Sequence, residues 1–156
     1  MRAATDDLRV ADLMTLDPVV VSVDASIAEA ENLLRYRRIT GLPVVDADGI
    51  LVGVISHTDL LHLPVRGVRA LVPHRDGGIR VGDVMSTPPV TIDSGASLRQ
   101  AAGLMNDKRL HRLVAVDAQG RPIGVIAAMD LVSLADALAI QIERVFDEVG
   151  DALEAE

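Results

Sequence analysis

The sequence predicts a mixed α/β (α+β) fold in which two copies of one small sheet-and-helix unit pack on each other. Three observations predict it. Shifted by 71 positions, Val10–Leu61 lies over Val81–Val132 without a gap, and about 20 of the 52 aligned positions are identical. Within each copy, β-branched runs alternate with segments of helical periodicity that open on capping signals. The core must also be aliphatic, because the chain is 49% hydrophobic yet has one Tyr, one Phe and no Trp. Val, Ile, Leu and Ala in that proportion suit small sheets packed against helices.

The elements of the first copy follow in order. Residues 1–9 form a polar tail that is expected to fray. Val10–Met14 reads as a helical turn, broken by Thr15-Leu16-Asp17-Pro18 because the residue before a proline avoids the helical region. Val19-Val20-Val21-Ser22-Val23 is a β-branched run and therefore a strand. Ser26-Ile27-Ala28-Glu29 is a capping box, and Ile27, Ala30, Leu33 and Leu34 form the buried stripe of the helix it opens. Arg35, Arg37 and Arg38 close that helix with positive charge at the negative end of its dipole. Strands over Leu42–Val45 and Leu51–Ile55 flank the turn Asp46-Ala47-Asp48-Gly49, and a second helix starts near Thr58.

Residues 62–80 belong to neither copy. They hold Pro64, Gly67, Pro73, Gly77 and Gly78, with Arg66, Arg69, Arg75 and Arg80 against one Asp. They read as a solvated connector; the competing reading is a basic loop that reaches ligand phosphates or an acidic partner. The second copy, residues 81–132, repeats the logic of the first. Its strand runs over Val90–Ile92, and the capping box Ser97-Leu98-Arg99-Gln100 opens a helix with the stripe Leu98, Ala101, Leu104 and Met105. Strands over Leu113–Val116 and Pro122–Ile126 flank Asp117-Ala118-Gln119-Gly120. From Asp130 the chain reads as one amphipathic helix through the 133–156 extension, with Leu131, Leu134, Leu138, Ile142, Val145 and Val149 on one side. Gly150 is expected to end or break it. The stripe would cover the chain's own core or, as the favoured expectation, pair with a second subunit.

Charge and composition exclude several functions. A net charge of −8 and the scarcity of aromatic residues argue against nucleic-acid binding, which calls for a basic face and stacking platforms. There is no signal-peptide pattern and no apolar run of membrane-spanning length. With no cysteine there are no disulfides, thiolate metal sites or cysteine nucleophiles, so a cytoplasmic protein is expected. Neither a Walker loop, a metal-ligand cluster nor a Ser-His-Asp order is present, and an enzyme is not expected.

The chemistry gathers at Gly53-Val54-Ile55-Ser56-His57-Thr58-Asp59-Leu60, a buried strand that runs into a helix with an early carboxylate. Free backbone N–H groups at such a helix start favour an anion such as phosphate. A first-turn carboxylate can accept both hydroxyls of a ribose. The stretch returns as Gly124-Val125-Ile126-Ala127-Ala128-Met129-Asp130-Leu131, which suggests a paired nucleotide sensor. A plain capping box explains Ser56-x-x-Asp59 equally well without a ligand. Against that, Asp130 persists although its serine partner is gone, but an acid there also suits the helix dipole.

Taken together, the motifs resemble a tandem pair of CBS domains, a Bateman module. In the first copy they are Asp12-x-Met14 with Pro18-Val19, Ile39-Thr40-Gly41-Leu42-Pro43-Val44-Val45-Asp46, and Gly53-Val54-Ile55-Ser56-x-x-Asp59-Leu60. In the second they are Asp83-x-Met85 with Pro89-Val90, Leu110-His111-Arg112-Leu113-Val114-x-Val116-Asp117, and Gly124-Val125-Ile126-x-x-x-Asp130-Leu131. The likeness covers about Val10 to Leu134. It implies two CBS repeats about a pseudo-twofold axis, with two clefts for AMP, ADP, ATP or S-adenosylmethionine, with or without Mg2+. It also implies a homodimer, and a stand-alone regulatory, energy-sensing module that acts on a partner protein not named by the sequence.

The resemblance assigns the ribose to Asp59, with Ser56 and Thr58 at the phosphate, and to Asp130 in the second copy. There Ala127 and Met129 replace both hydroxyls, with Met129 still counted among the ligand-contact residues, so that cleft would bind without phosphate contacts from its turn or stay empty. The base is assigned to Val19, Val20, Ile39 and Thr40, and to Val90, Thr91, Leu110 and His111. Arg112 is assigned to phosphate, which a guanidinium can hold through paired hydrogen bonds; as a bare surface charge it would need no ligand. The competing function is an interaction or scaffold protein with empty clefts that acts through dimerisation.

Overall fold

The computed structural model describes residues 8–63 and 78–154, with side chains up to residue 144 of the last helix. Most of the expected N-terminal tail and the arginines Arg66, Arg69 and Arg75 of the connector lie outside the described residues. The first copy comprises α1 (Val10–Leu13), β1 (Thr15–Leu16), β2 (Val21–Ser22), α2 (Ile27–Arg37), β3 (Gly41–Val45), β4 (Leu51–Ser56) and α3 (His57–Leu61). The second comprises α4 (Val81–Val84), β5 (Thr91–Ile92), α5 (Leu98–Lys108), β6 (Arg112–Val116), β7 (Pro122–Ala127) and α6 (Ala128–Glu154).

Local signals set the helix starts. Ser26 Oγ accepts from the Glu29 amide at 3.2 Å, and Glu29 Oε2 accepts from the Ser26 amide at 2.9 Å. Ser97 and Gln100 repeat the exchange at 3.1 and 2.9 Å. The two helices bury Ala30 and Leu34, and Leu98, Ala101 and Met105, with Ile27, Leu33 and Leu104 packed at the margins. Each helix ends on an arginine in the left-handed region, Arg38 and Arg109, both at φ 54°.

The sheets are β2-β3-β4 and β1-β7-β6-β5, with the first and second strand of each copy's βαβ unit running parallel. The expected strand over Val19–Val23 is shorter than its β-branched sequence suggests. Val21 and Ser22 pair with Val44 and Val45 of β3, the Val23 amide donates to Val45 O at 2.9 Å, and Val19 and Val20 extend beyond the ladder. Val90 likewise precedes β5.

The copies exchange their opening turns. Val10 of α1 is fully buried in the core formed by the second copy, and Val81 and Val84 of α4 are buried in the first. The Val10 amide donates to Ala96 O and the Val81 amide to Ala25 O, both at 2.9 Å. Thr15 and Leu16, which the proline-breaking argument placed in an irregular segment, instead form β1 and pair antiparallel with Val125 and Gly124 of β7. The related contact on the other side is the bridge Val54↔Ser86. Packing units therefore differ from sequence units: each core is closed by a turn from the other copy.

Helix α6 passes through Gly150 to Glu154, so the expected break does not occur. A helical glycine costs about 1 kcal/mol relative to alanine, which good helix formers around it absorb. Its first turns pack Leu131 and Leu134 on the second core. Met129, Val132, Ile140 and Ile142 are exposed, as is Leu61 on α3. Among the described residues no helix is long and apolar enough to cross a membrane.

Candidate functional site

Two clefts related by the duplication open where the copies meet. The larger, about 460 Å³, lies between the β4–α3 turn of the first copy and residues 86–90 and 109–112 of the second. The smaller, about 340 Å³, lies between the β7–α6 turn of the second copy and residues 15–19 and 38–41 of the first. Both volumes fall in the range of small-molecule sites.

In the larger cleft Asp59 is buried, with 6% of its surface exposed. Its Oδ2 accepts from the Ser56 amide at 2.8 Å and from Ser56 Oγ at 2.9 Å, while Ser56 Oγ also accepts from the Asp59 amide. The capping box is therefore formed, and it fixes the carboxylate against the cavity wall. Ser86 Oγ donates to Asp59 Oδ1 at 3.4 Å, which ties the acid to the second copy. Ser56, Thr58 and Asp59 face Pro88, Pro89, Val90, Leu110 and His111 across the cavity, and Thr58 and the rim residue His57 are exposed.

In the smaller cleft Asp130 is half-buried and its Oδ2 accepts from the Ala127 amide at 2.8 Å. The missing serine leaves this acid with a single capping bond where Asp59 has two. Val19, Ile39 and Thr40 line the cavity with Asp17, Pro18 and Arg38. Arg112 lines both clefts. It donates to Gly41 O at 3.3 Å and to Thr40 Oγ1. Burial pulls its pKa below the ordinary arginine value, and the nearby Asp130 carboxylate works against that shift.

Three residues assigned from sequence do not line either cavity. Val20 and Thr91 lie next to Val19 and Val90 in extended chain, where neighbours point to opposite sides, and both face solvent. Met129 is 66% exposed, because one step along a helix turns the side chain by about 100° away from Asp130. Conversely, Ser86, Pro88, Pro89 and Arg109 in one cleft and Thr15, Asp17, Pro18 and Arg38 in the other were not assigned to ligand contact. The repeat held a signal for two pairs of them: Pro18 and Pro89, and Arg38 and Arg109, are identical after the 71-residue shift, and the two arginines share a further feature. Both keep a left-handed backbone that glycine would adopt more cheaply, a cost commonly met at functional positions.

Among the described residues no group of three or more His, Asp or Glu could hold a metal ion. The comparisons with known proteins agree with the geometry. A family model described as CBS domain matches residues 10–66 and again 81–137. The CBS domain-containing protein YhcV of Bacillus subtilis is 34% identical over 122 residues, covering 78% of this chain and 81% of that protein. Inosine-5'-monophosphate dehydrogenase of Mycobacterium tuberculosis is 35% identical over 120 residues, 76% of this chain but only 21% of the dehydrogenase. The chain thus spans about a fifth of that relative. The crystal structure of CBSX2, an Arabidopsis thaliana protein, in complex with AMP superposes with a TM-score of 0.73 at 34% identity, covering 84% of this chain and 98% of that one. With two family matches across most of its length and the paired clefts in place, the chain belongs to the CBS domain family, as a tandem pair.

Proposed function

We propose that this chain is a non-enzymatic regulatory module that binds AMP or a related adenosine compound in its clefts and passes occupancy on to a partner protein. The observation that carries the proposal is Asp59: a buried carboxylate at a helix start, fixed on the wall of a 460 Å³ cavity built by both copies. A carboxylate on that wall is an acceptor of the kind a ribose hydroxyl calls for. Val90, Leu110 and the two prolines supply an apolar slot for a base, Thr58, Arg109 and Arg112 supply donors for a phosphate, and Ser56, whose own donors are on Asp59, holds the carboxylate in place. In the other cleft Asp130 takes the ribose, and Val19, Ile39 and Thr40 the base. The AMP held by CBSX2 supports this reading. Occupancy bridges the copies and so favours one of their arrangements over another. The compartment we assign is the cytoplasm.

AMP at a hundredfold excess over Kd is expected to stabilise the chain by about 2.7 kcal/mol, or roughly 5–10 °C in Tm for a domain of this size. Differential scanning fluorimetry with AMP, ADP, ATP and S-adenosylmethionine, each with and without Mg2+, checks this and ranks the ligands. No shift at millimolar concentration with any of them would favour an interaction module with empty clefts.

The assembly we propose is a homodimer through the apolar residues left exposed on α3 and α6. Leu61, Val132 and Ile142 are 77%, 55% and 52% exposed, which a solvated surface does not require. Sedimentation equilibrium is expected to give twice the 16.6 kDa chain mass, falling to one chain in Val132→Glu with Ile142→Glu. A monomer in the unmodified protein removes the dimer from the proposal.

A further inference from the structure

Arg112 and Gly41 occupy the same position in the two copies, 71 residues apart, and they meet across the pseudo-twofold axis. The pair is asymmetric, and that asymmetry lets a single guanidinium occupy the axis. A Cβ at Gly41 would stand 3.0 Å from Arg112 Nη1, and a longer side chain would have to share the same space. The guanidinium is therefore present once, between two cavities, with Thr40 and Gly41 also bordering both.

The remaining charges differ between the clefts. Among the described residues, the Asp59 cleft adds Arg109 and the histidines His57 and His111 against one acid. The Asp130 cleft adds Arg38, but against two acids, Asp17 and Asp130. An anionic ligand is favoured in the first, and the second depends more heavily on Arg112 to offset its carboxylates.

We propose that Arg112 is one cation shared by two clefts, so that a phosphate bound in the Asp59 cleft weakens the hold of the Asp130 cleft on a second phosphate. The proposal rests on the reading of both clefts as nucleotide sites. The physical reason is electrostatic. Once a phosphate neutralises the guanidinium, a second anion meets the charge of the first ligand in place of a free cation, in surroundings where charge is screened less than in water. A neutral nucleoside draws no charge from Arg112 and leaves the other cleft as it was.

Isothermal titration with AMP measures the Asp130 cleft in two settings. It is the second binding step in the unmodified protein, and it becomes the leading step in Asp59→Ala, where the first cleft is weakened and fills later. The second step is expected to be about tenfold weaker than the leading step in Asp59→Ala. The same pair of titrations with adenosine is expected to show equal affinities, and Arg112→Met added to both proteins is expected to abolish the difference with AMP. Equal AMP affinities in the two settings overturn the proposal. So does a difference that survives Arg112→Met or recurs with adenosine. The adenosine comparison retains the native arginine and decides the matter even where the methionine variant fails to fold. Absence of AMP binding to the unmodified protein defeats the nucleotide reading and the proposal with it, an outcome distinct from two AMP molecules bound independently.

Discussion

Asp59→Ala is expected to lower the affinity of its cleft for AMP by about 10- to 100-fold. Hydrogen bonds to a charged group contribute about 1.5–3 kcal/mol, and each 1.4 kcal/mol is a factor of ten in affinity. The carboxylate is already held by Ser56 and approached by Ser86, so little conformational freedom remains to be lost when a ribose binds. Its removal also costs the free protein the two capping bonds that Oδ2 accepts from Ser56, together worth about 1 kcal/mol. Affinity must therefore be read by titration, because a lower Tm alone would follow from the lost cap. Asp59→Asn is the control that keeps the shape and one acceptor, and its loss is expected to be smaller than that of alanine. Full-strength AMP binding in Asp59→Ala, with only the stability loss, would leave Asp59 as a helix cap and nothing more.

Much of this site was legible in the sequence because duplication converts weak signals into paired ones. Ser56-x-x-Asp59 alone does not separate a cap from a ligand site, and the structure shows why: the cap is formed, and it is what aims the carboxylate. The strands and helices followed from β-branched runs and capping boxes, whose causes are local. The exchanged turns did not follow. Nothing local in Val10–Met14 states that Val10 will be buried in the other copy's core, since that depends on how two sheets pack. The resemblance implied Val20 and Thr91 beside Val19 and Val90, and the alternation of extended chain turns both outward. Arg112 was legible as a basic residue among apolar ones. That it serves two cavities was not, because the vacancy it fills is made by Gly41, seventy-one positions earlier.

Gly53→Ala is expected to destabilise the fold by about 2–3 kcal/mol, and Gly124→Ala by about 1 kcal/mol, although the two glycines are equivalent in the repeat. Both sit in strands where the exchanged turn of the other copy crosses at close range. At Gly53 an added Cβ would lie 2.5 Å from Met85 Sδ and 2.9 Å from Ser86 O. The carbonyl cannot rotate away, because Ser86 exchanges two backbone hydrogen bonds with Val54, at 3.0 and 2.9 Å. At Gly124 the three nearest atoms, from 2.4 to 3.1 Å, all belong to the Met14 side chain, which has rotamers to spare. Urea unfolding is expected to rank the variants in that order, with a Tm loss of roughly 5–10 °C for Gly53→Ala. A double-mutant cycle separates the causes. With Met14→Ala already present, Gly124→Ala is expected to add almost no further loss, whereas Met85→Ala is expected to rescue Gly53→Ala only in part. Equal losses at the two glycines, or full rescue by Met85→Ala, would show that the Ser86 backbone does not limit the approach. The distinction reaches the site as well, because Ser86 donates to Asp59 and its neighbours Pro88 and Pro89 form the opposite wall of the cleft. Gly53→Ala is therefore expected to weaken AMP binding along with the fold, while Gly124→Ala leaves the Asp59 cleft as it was.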